Sequence, residues 1–522
     1  MAEIHHFQKK TIKLILGNDK KILPIKLNES FKVRTKVDKE FIAKNLAQVP
    51  YNLRISVRNE FNRILGSKSC GLQLAKHFLK GCADFCRKLP VNVTISINQI
   101  YKYTNDIVRI CIYYKKNNSD KSLLKKLERI VKDLGLVPRQ GKSIIGDINR
   151  YCNNKWWIRK LKSLYMQSYE RVAQYLRLVN DKIDIYLTTH NFKILRENRK
   201  RNECFLSSLV AINDTGEVIN FNKVVDSSLA NPKNRKAEII TRLKGFEQYA
   251  EKYNFTADFI TITSPSRFHS VYKSGYKNIN YDYSSTLDAR DYFNKLWAKS
   301  RSKLNRLGIE RFGFWVIEPH HDGTPHWHFI IFTKKGQRGL LIECLKDYSL
   351  EESPDEAGAK THRFNVKPIN KKLGSASGYL VKHICKKVNL SGKSTKLSIE
   401  ECTSRIYEWG VLWNFHQFEQ FGGPPVGVWR EARRIALSAD INTSSIWKSI
   451  KDGDWLAFFE FLGGTNICRK DFKVVIHKEH DCSLNDFGEE KGLVVKGVVI
   501  EDEIFISRNH QWSIKPAINL QV

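Results

Sequence analysis

The stretch Val316-Ile317-Glu318-Pro319-His320-His321-Asp322-Gly323-Thr324-Pro325-His326-Trp327-His328-Phe329 carries a carboxylate and two imidazoles at a spacing that suits a divalent cation. Side chains at i and i+2 of an extended strand point to the same side, so His326 and His328 project together while Trp327 and Phe329 face the opposite layer. Asp322-Gly323 is a tight-turn signal between two apolar runs, which predicts a β-hairpin. Such a hairpin brings Glu318, on the incoming strand, toward the histidine pair. Two nitrogens and an oxygen would then hold a divalent ion with coordination positions left open. Histidines on a strand more often serve as ordinary surface or core residues, so the spacing gains meaning only from chemistry elsewhere in the chain.

The elements that must position these groups can be read around them. Asp258 to Thr263 is a short β-branched strand ending in the turn Ser264-Pro265-Ser266-Arg267. Leu287 to Leu307 has helical spacing at Phe293, Leu296, Trp297, Leu304 and Leu307, with Gly308 placed as its C-terminal cap. His362 to Ile369 reads as a further strand. Strand, helix and hairpin in this order predict an α+β fold: an antiparallel β-sheet flanked by helices. After the small and hydroxyl residues Gly374-Ser375-Ala376-Ser377-Gly378 a helix is expected to start. On it Tyr379, Lys382 and His383 stand at i, i+3 and i+4, on one face. A phenol, an ammonium and an imidazole there could act as nucleophile, phosphate clamp and proton carrier; an ordinary amphipathic helix would look the same.

The chain has 522 residues, of which 88 are Lys or Arg and 54 Asp or Glu, for a net charge of +34. So large an excess calls for a polyanionic partner, with nucleic acid first. No run of about 18 apolar residues occurs, which excludes a membrane-spanning helix, and Met1 is followed by no signal-peptide core. A soluble intracellular protein is expected. The 11 scattered cysteines suit reduced thiols; Cys70, His77, Cys82 and Cys86 have a zinc-like composition but match no standard finger spacing.

Between Arg139 and Tyr165 seven basic residues face one acid, Asp147, with Trp156-Trp157 among them. Cations for phosphates and flat rings for unstacked bases make Arg150, Lys155, Trp156, Arg159 and Lys160, with Arg267 of the later turn, candidate DNA contacts. Trp157, Leu161, Leu164, Tyr165, Val172 and Leu176 form one helical stripe, expected to be core. The runs Arg196 to Arg201 and Lys233 to Lys236 read as solvated faces. In the first part of the chain Asn62 to Leu89 looks helical, and Val91 to Ile97 and Ile107 to Tyr114 look like strands. Near the end, Lys473 to Ile476 and Gly492 to Ile500 are strand-like around the turn Asp486 to Glu489. The expected organisation is an accessory domain over 1–138, a helical basic region over 139–250, a catalytic domain over 251–437 and a small α+β packing unit over 438–522.

Phe259-Ile260-Thr261-Ile262-Thr263, His326-Trp327-His328 and Tyr379 with Lys382 resemble the three ordered motifs of the HUH endonucleases, in the order of the rolling-circle replication initiators. More closely, Glu318 through His328 and Gly378-Tyr379-Leu380-Val381-Lys382 resemble the replication gene A proteins of tailed temperate phages. The likeness runs from about Trp156 to Trp429-Arg430-Glu431. It implies that Glu318, His326 and His328 hold Mg2+ or Mn2+, that Tyr379 attacks a scissile phosphate, and that Lys382 complements the charge on its oxygens. The product would be a 5′-phosphotyrosine adduct and a 3′-hydroxyl that primes rolling-circle replication of a phage-like replicon. A conjugative relaxase or single-tyrosine transposase would use the same chemistry. A non-catalytic origin-binding protein would keep only the DNA contacts.

The sequence departs from that family at one point. Its members tend to carry a second tyrosine four residues after the first, and here that position is His383. The partners implied are single-stranded or supercoiled origin DNA and a host polymerase. A host helicase is also implied, since no Gly-x4-Gly-Lys-Ser/Thr loop is present. The expected location is the bacterial host cytoplasm.

Overall fold

The computed structural model describes residues 31, 33, 35–67, 70–369, 378, 398–438, 445–465, 467 and 469–517. It divides into two units: residues 1–179 with 482–491, and residues 180–481 with 492–522.

The first unit is helical. Helices Lys36–Leu46, Arg54–Leu65, Gly71–Arg87, Ile97–Lys116, Asp120–Asp133, Ile144–Tyr151 and Asn154–Tyr175 follow one another. A core that includes Ile42, Phe61, Leu79 and Val172 joins four of them. The strands expected at Val91 to Ile97 and Ile107 to Tyr114 are absent. The first run is irregular up to Ser96, whose side chain and that of Gln99 form a reciprocal capping box. The second lies inside Ile97–Lys116, with Ile100, Thr104, Ile107 and Cys111 buried on one stripe. The cap and the 3.6-residue period outweigh the β-branched composition there. Cys82 and Cys86 are buried in the core, where burial raises both thiol pKa values, so they behave as small apolar residues.

The second unit is α+β and antiparallel, as expected. Its strands are β1 (Leu209–Asn213), β2 (Val218–Asn220), β3 (Phe255–Thr263), β4 (Arg311–Pro319), β5 (Pro325–Lys334), β6 (Phe364–Pro368), β7 (Phe418–Phe421), β8 (Val474–Leu484), β9 (Glu490–Ile500), β10 (Glu503–Ile506) and β11 (Trp512–Pro516). Residues 482–491, where β8 turns into β9, belong to the first unit. The central sheet has five strands in the order β6-β3-β5-β4-β7, and two three-stranded sheets, β11-β1-β2 and β10-β9-β8, accompany it.

The central sheet is covered on both faces. On one, Phe259, Phe312, Phe314, Val316, Ile330 and Phe332 meet Leu243 and Phe246 of helix Pro232–Lys252, together with Trp447, Trp455 and Phe459. The segment after residue 438 therefore supplies core to this sheet. On the other face Trp327 stacks between Phe293, at 5.3 Å, and Trp315, at 4.9 Å. Phe293 belongs to helix Thr286–Arg306, close to the range expected, and Gly308 follows it with φ +63° in the left-handed conformation of a helix stop.

Candidate metal centre

β4 and β5 pair so that Glu318 lies opposite His326, and Val316 opposite His328. Alternation along the strands then puts Glu318, His326 and His328 on the face that carries Val316 and Ile330, at the sheet end beyond the apolar core. One ligand atom from each of the three lies within 4.8 Å of the others. Glu318 is 1 % exposed and His328 7 %. His328 Nε2 stands 3.6 Å from Glu318 Oε2.

β3 fixes the histidine ring. Thr261 lies opposite His328, and its Oγ1 is 3.0 Å from His328 Nδ1. Phe259 stacks on the same imidazole at 5.3 Å. With Nδ1 engaged by Thr261, Nε2 is the nitrogen turned toward Glu318, the arrangement by which an outer partner orients a metal-binding histidine. A buried carboxylate and two imidazoles converging on one point fit a divalent cation chemically.

The strand connection is longer than the two-residue turn expected. His320 N donates to Thr324 O at 2.7 Å and Gly323 N to His320 O at 2.9 Å, which leaves three residues in the loop, with Gly323 at φ +81°. Asp322 does more than turn the chain. Its Oδ2 meets His269 Nδ1 at 3.1 Å and Ser270 N at 3.2 Å, and its Oδ1 accepts from Thr324 N at 3.1 Å. Thr324 Oγ1 donates to Phe268 O and Ser264 Oγ to Pro325 O, so the segment after β3 is laced to the hairpin.

His269, His320 and Asp322 also bring three ligand atoms within 4.8 Å of one another. The hydrogen bonds already made to Asp322 give this group the chemistry of a clamp. Burial alone would raise the Asp322 pKa, but His269, His321 and His320 outweigh it and hold the carboxyl far below its usual range. Burial alone would lower that of His269; Asp322, Glu356 and the Ser264 carbonyl outweigh it and keep the ring protonated to higher pH. Burial lowers the pKa of neighbouring His321.

Tyr379, Lys382 and His383 lie outside the described residues. Of the expected DNA contacts, Lys155, Arg159 and Lys160 are exposed on helix Asn154–Tyr175, whose stripe residues Trp157, Leu161, Tyr165 and Val172 are buried. Arg150 and Trp156 are corrections. Arg150 is 3 % exposed, paired with Asp147 at 2.9 Å and with Glu489, and lies over the Phe487 ring. Trp156 is 5 % exposed and packs edge-on against Tyr151 and Trp157. A buried guanidinium needs carboxylates close by, which is why it sits in the core and not among the surface cations. Arg267 is also committed: it pairs with Asp282 at 2.9 Å and with Glu352, and covers Phe268.

Sequence reasoning missed Thr261, His269 and Asp322 as parts of the site. Thr261 and Asp322 stood inside the motifs Phe259 to Thr263 and Glu318 to His328 with no role of their own beyond strand and turn; nothing local marks His269.

The fold and the site define an α+β protein with a carboxylate and two imidazoles on an antiparallel hairpin. The family model of the bacteriophage replication gene A protein (GPA) matches residues 132–391, a stretch that takes in the hairpin. The replication gene A protein of Escherichia phage 186 is 31% identical over 395 residues, 72% of this chain and 57% of its own. The probable replication protein P12 of Pseudoalteromonas phage PM2 is 31% identical over 363 residues, 67% of this chain and 56% of its own. A probable replication endonuclease from a prophage-like region of Salmonella paratyphi A is 32% identical over 291 residues, 54% of this chain and 36% of its own. The chain belongs to the bacteriophage replication gene A protein family. It spans little more than half the length of the first two of these relatives. No solved structure matches it. Among the described residues no helix is long and apolar enough to cross a membrane.

Proposed function

We propose that the protein is a site-specific single-strand DNA endonuclease and strand transferase that opens a replication origin and leaves a 3′-hydroxyl for rolling-circle synthesis. The observation that carries this reading is the convergence of Glu318, His326 and His328 at the open end of the sheet, His328 being oriented by Thr261. Relatives named as replication endonucleases support it.

Glu318, His326 and His328 would hold Mg2+ or Mn2+. When bound, that ion polarises the scissile phosphate and offsets the charge that builds on its oxygens. Tyr379 is the nucleophile: its phenol loses its proton, its oxygen bonds to phosphorus, and the bond from phosphorus to the 3′ oxygen breaks. The DNA is left as a 5′-phosphotyrosine and a free 3′-hydroxyl, which a host polymerase extends while a host helicase opens the duplex. A phenol with an ordinary pKa of about 10 is a poor nucleophile near neutrality, so it needs cationic neighbours, and Lys382 supplies one. His383 stands where a second tyrosine would allow repeated transfers; we assign it proton transfer to the displaced oxygen.

The test is a denaturing gel of the protein incubated with labelled single-stranded origin DNA, with Mg2+ or Mn2+ and with chelator, beside Tyr379→Phe. A metal-dependent adduct on the 5′ side of the break, lost in the variant, is the expected result. Tight origin binding with no adduct under either metal would instead favour a non-catalytic origin-binding protein. An adduct that survives Tyr379→Phe would mean another nucleophile.

A further inference from the structure

The second unit holds a cleft of about 690 Å³ that reaches Glu318. One wall is the first turns of helix Pro232–Lys252, where Arg235 and Lys236 both line the cleft, as does Arg430. The other wall is the end of helix Ile399–Trp413 and the residues after it, contributing Tyr407, Val411 and Phe415. The two walls differ in chemistry. Arg430 and the buried Arg242 share Glu238, whereas Arg235 and Lys236 make no ion pair among the described residues. Opposite them Val411 is 48 % exposed, and Phe415 rests against Trp409 with its centroid at 4.6 Å.

We propose that this cleft is a subsite for an unpaired nucleotide of the DNA strand next to the phosphate at the metal centre. The inference rests on the endonuclease reading and extends it to named contacts. A nucleotide has a flat, largely apolar ring and an anionic phosphate, which match the aromatic wall and the uncommitted cations respectively. The volume lies within the range of about 300–1,000 Å³ found for sites that enclose a small organic ligand. A duplex keeps its base faces stacked inside, so the apolar wall finds a partner only where the bases are unpaired. Glu318 belongs to both the cleft and the metal cluster, so the cleft adjoins the place where the reacting phosphate would sit.

The test uses the full chain and a short, labelled single strand of mixed sequence, with the matching duplex as control, read by fluorescence anisotropy in the presence of chelator. Two variants are compared: Arg235→Glu with Lys236→Glu, which reverses the cationic wall, and Val411→Trp, which fills the apolar side from an exposed position. Each is expected to weaken single-strand binding about tenfold. Val411→Trp should leave duplex binding nearly unchanged, and both variants should keep the wild-type affinity for Mn2+. Wild-type single-strand affinity in both variants overturns the proposal, as does an equal loss on duplex in Val411→Trp. Failure of the endonuclease reading shows separately, as a wild type whose strand binding depends on the cleft but which forms no covalent adduct.

Discussion

His269 and Asp322, 53 positions apart, form an ion pair of 3.1 Å in which the carboxylate is closed off from solvent. It ties the segment after β3 to the loop of the β4–β5 hairpin. Asp322→Ala would leave a half-buried imidazolium without its counter-charge, a change that costs up to about 3 kcal/mol. The effect has a defined pH window. His269 has a raised pKa, so its contribution is full below about 6.5 and is lost as pH rises through the folded value. Asp322 has a lowered pKa, so its contribution is full above about 3.9 and is lost as pH falls through the folded value. The gap in Tm between wild type and Asp322→Ala should therefore be widest from about pH 4 to 6.5 and narrow in alkaline buffer. Calorimetric scans across pH measure it; a gap independent of pH would detach the pair from stability.

Thr261 touches the proposed cation only through His328. Thr261→Val keeps the strand residue's shape and removes the oxygen 3.0 Å from Nδ1. Loss of such an outer partner lowers metal affinity about 10–100-fold. Titration calorimetry with Mn2+ should show this fall in Thr261→Val and near-complete loss of binding in His328→Ala. Equal affinity in Thr261→Val and wild type would remove the threonine from the site.

Trp327, between the two histidines, is expected to matter for stability and not for charge. It is 1 % exposed and stacks against Trp315 and Phe293. Truncation to alanine opens a cavity beneath the hairpin and should cost about 3–5 kcal/mol in urea unfolding followed by circular dichroism. A loss below about 1 kcal/mol would mean that the neighbours collapse into the space.

The exposed cations of helix Asn154–Tyr175 can be separated from the buried one that precedes them. Lys155→Ala, Arg159→Ala and Lys160→Ala combined should reduce the slope of log affinity for DNA against log salt by about 2 to 3, if each neutralises one phosphate. Arg150→Ala should leave that slope alone and lower the unfolding midpoint of the first unit. A slope unchanged by the triple variant would take this face out of DNA binding.

The central hairpin was legible because period two, an Asp-Gly turn and two histidines on one side of a strand are all local signals; the hairpin and the histidine pair stand in β4 and β5 as expected, and the turn is one residue longer. The helix Thr286–Arg306 was legible for the same reason. Ile107 to Tyr114 was not: eight residues of which six are β-branched or aromatic look like a strand when taken alone, and only the capping box eleven residues upstream shows that they continue a helix. Arg150 looks like a nucleic-acid contact as long as Glu489 is out of view, and sequence spacing gives no sign of a partner 339 positions away. The same limit hid His269, whose role exists only where the fold brings Asp322 beside it.

That long-range pairing also sets an order of assembly. The helices of the first unit leave the ribosome early, yet the unit is closed only by residues 482–491. At about 5–20 residues per second, Arg150 waits on the order of tens of seconds for Glu489, with only Asp147 to balance its charge. A nascent chain that has reached only Val179 carries the Arg150 guanidinium with Asp147 as its sole carboxylate partner and lacks the second one that Glu489 later brings.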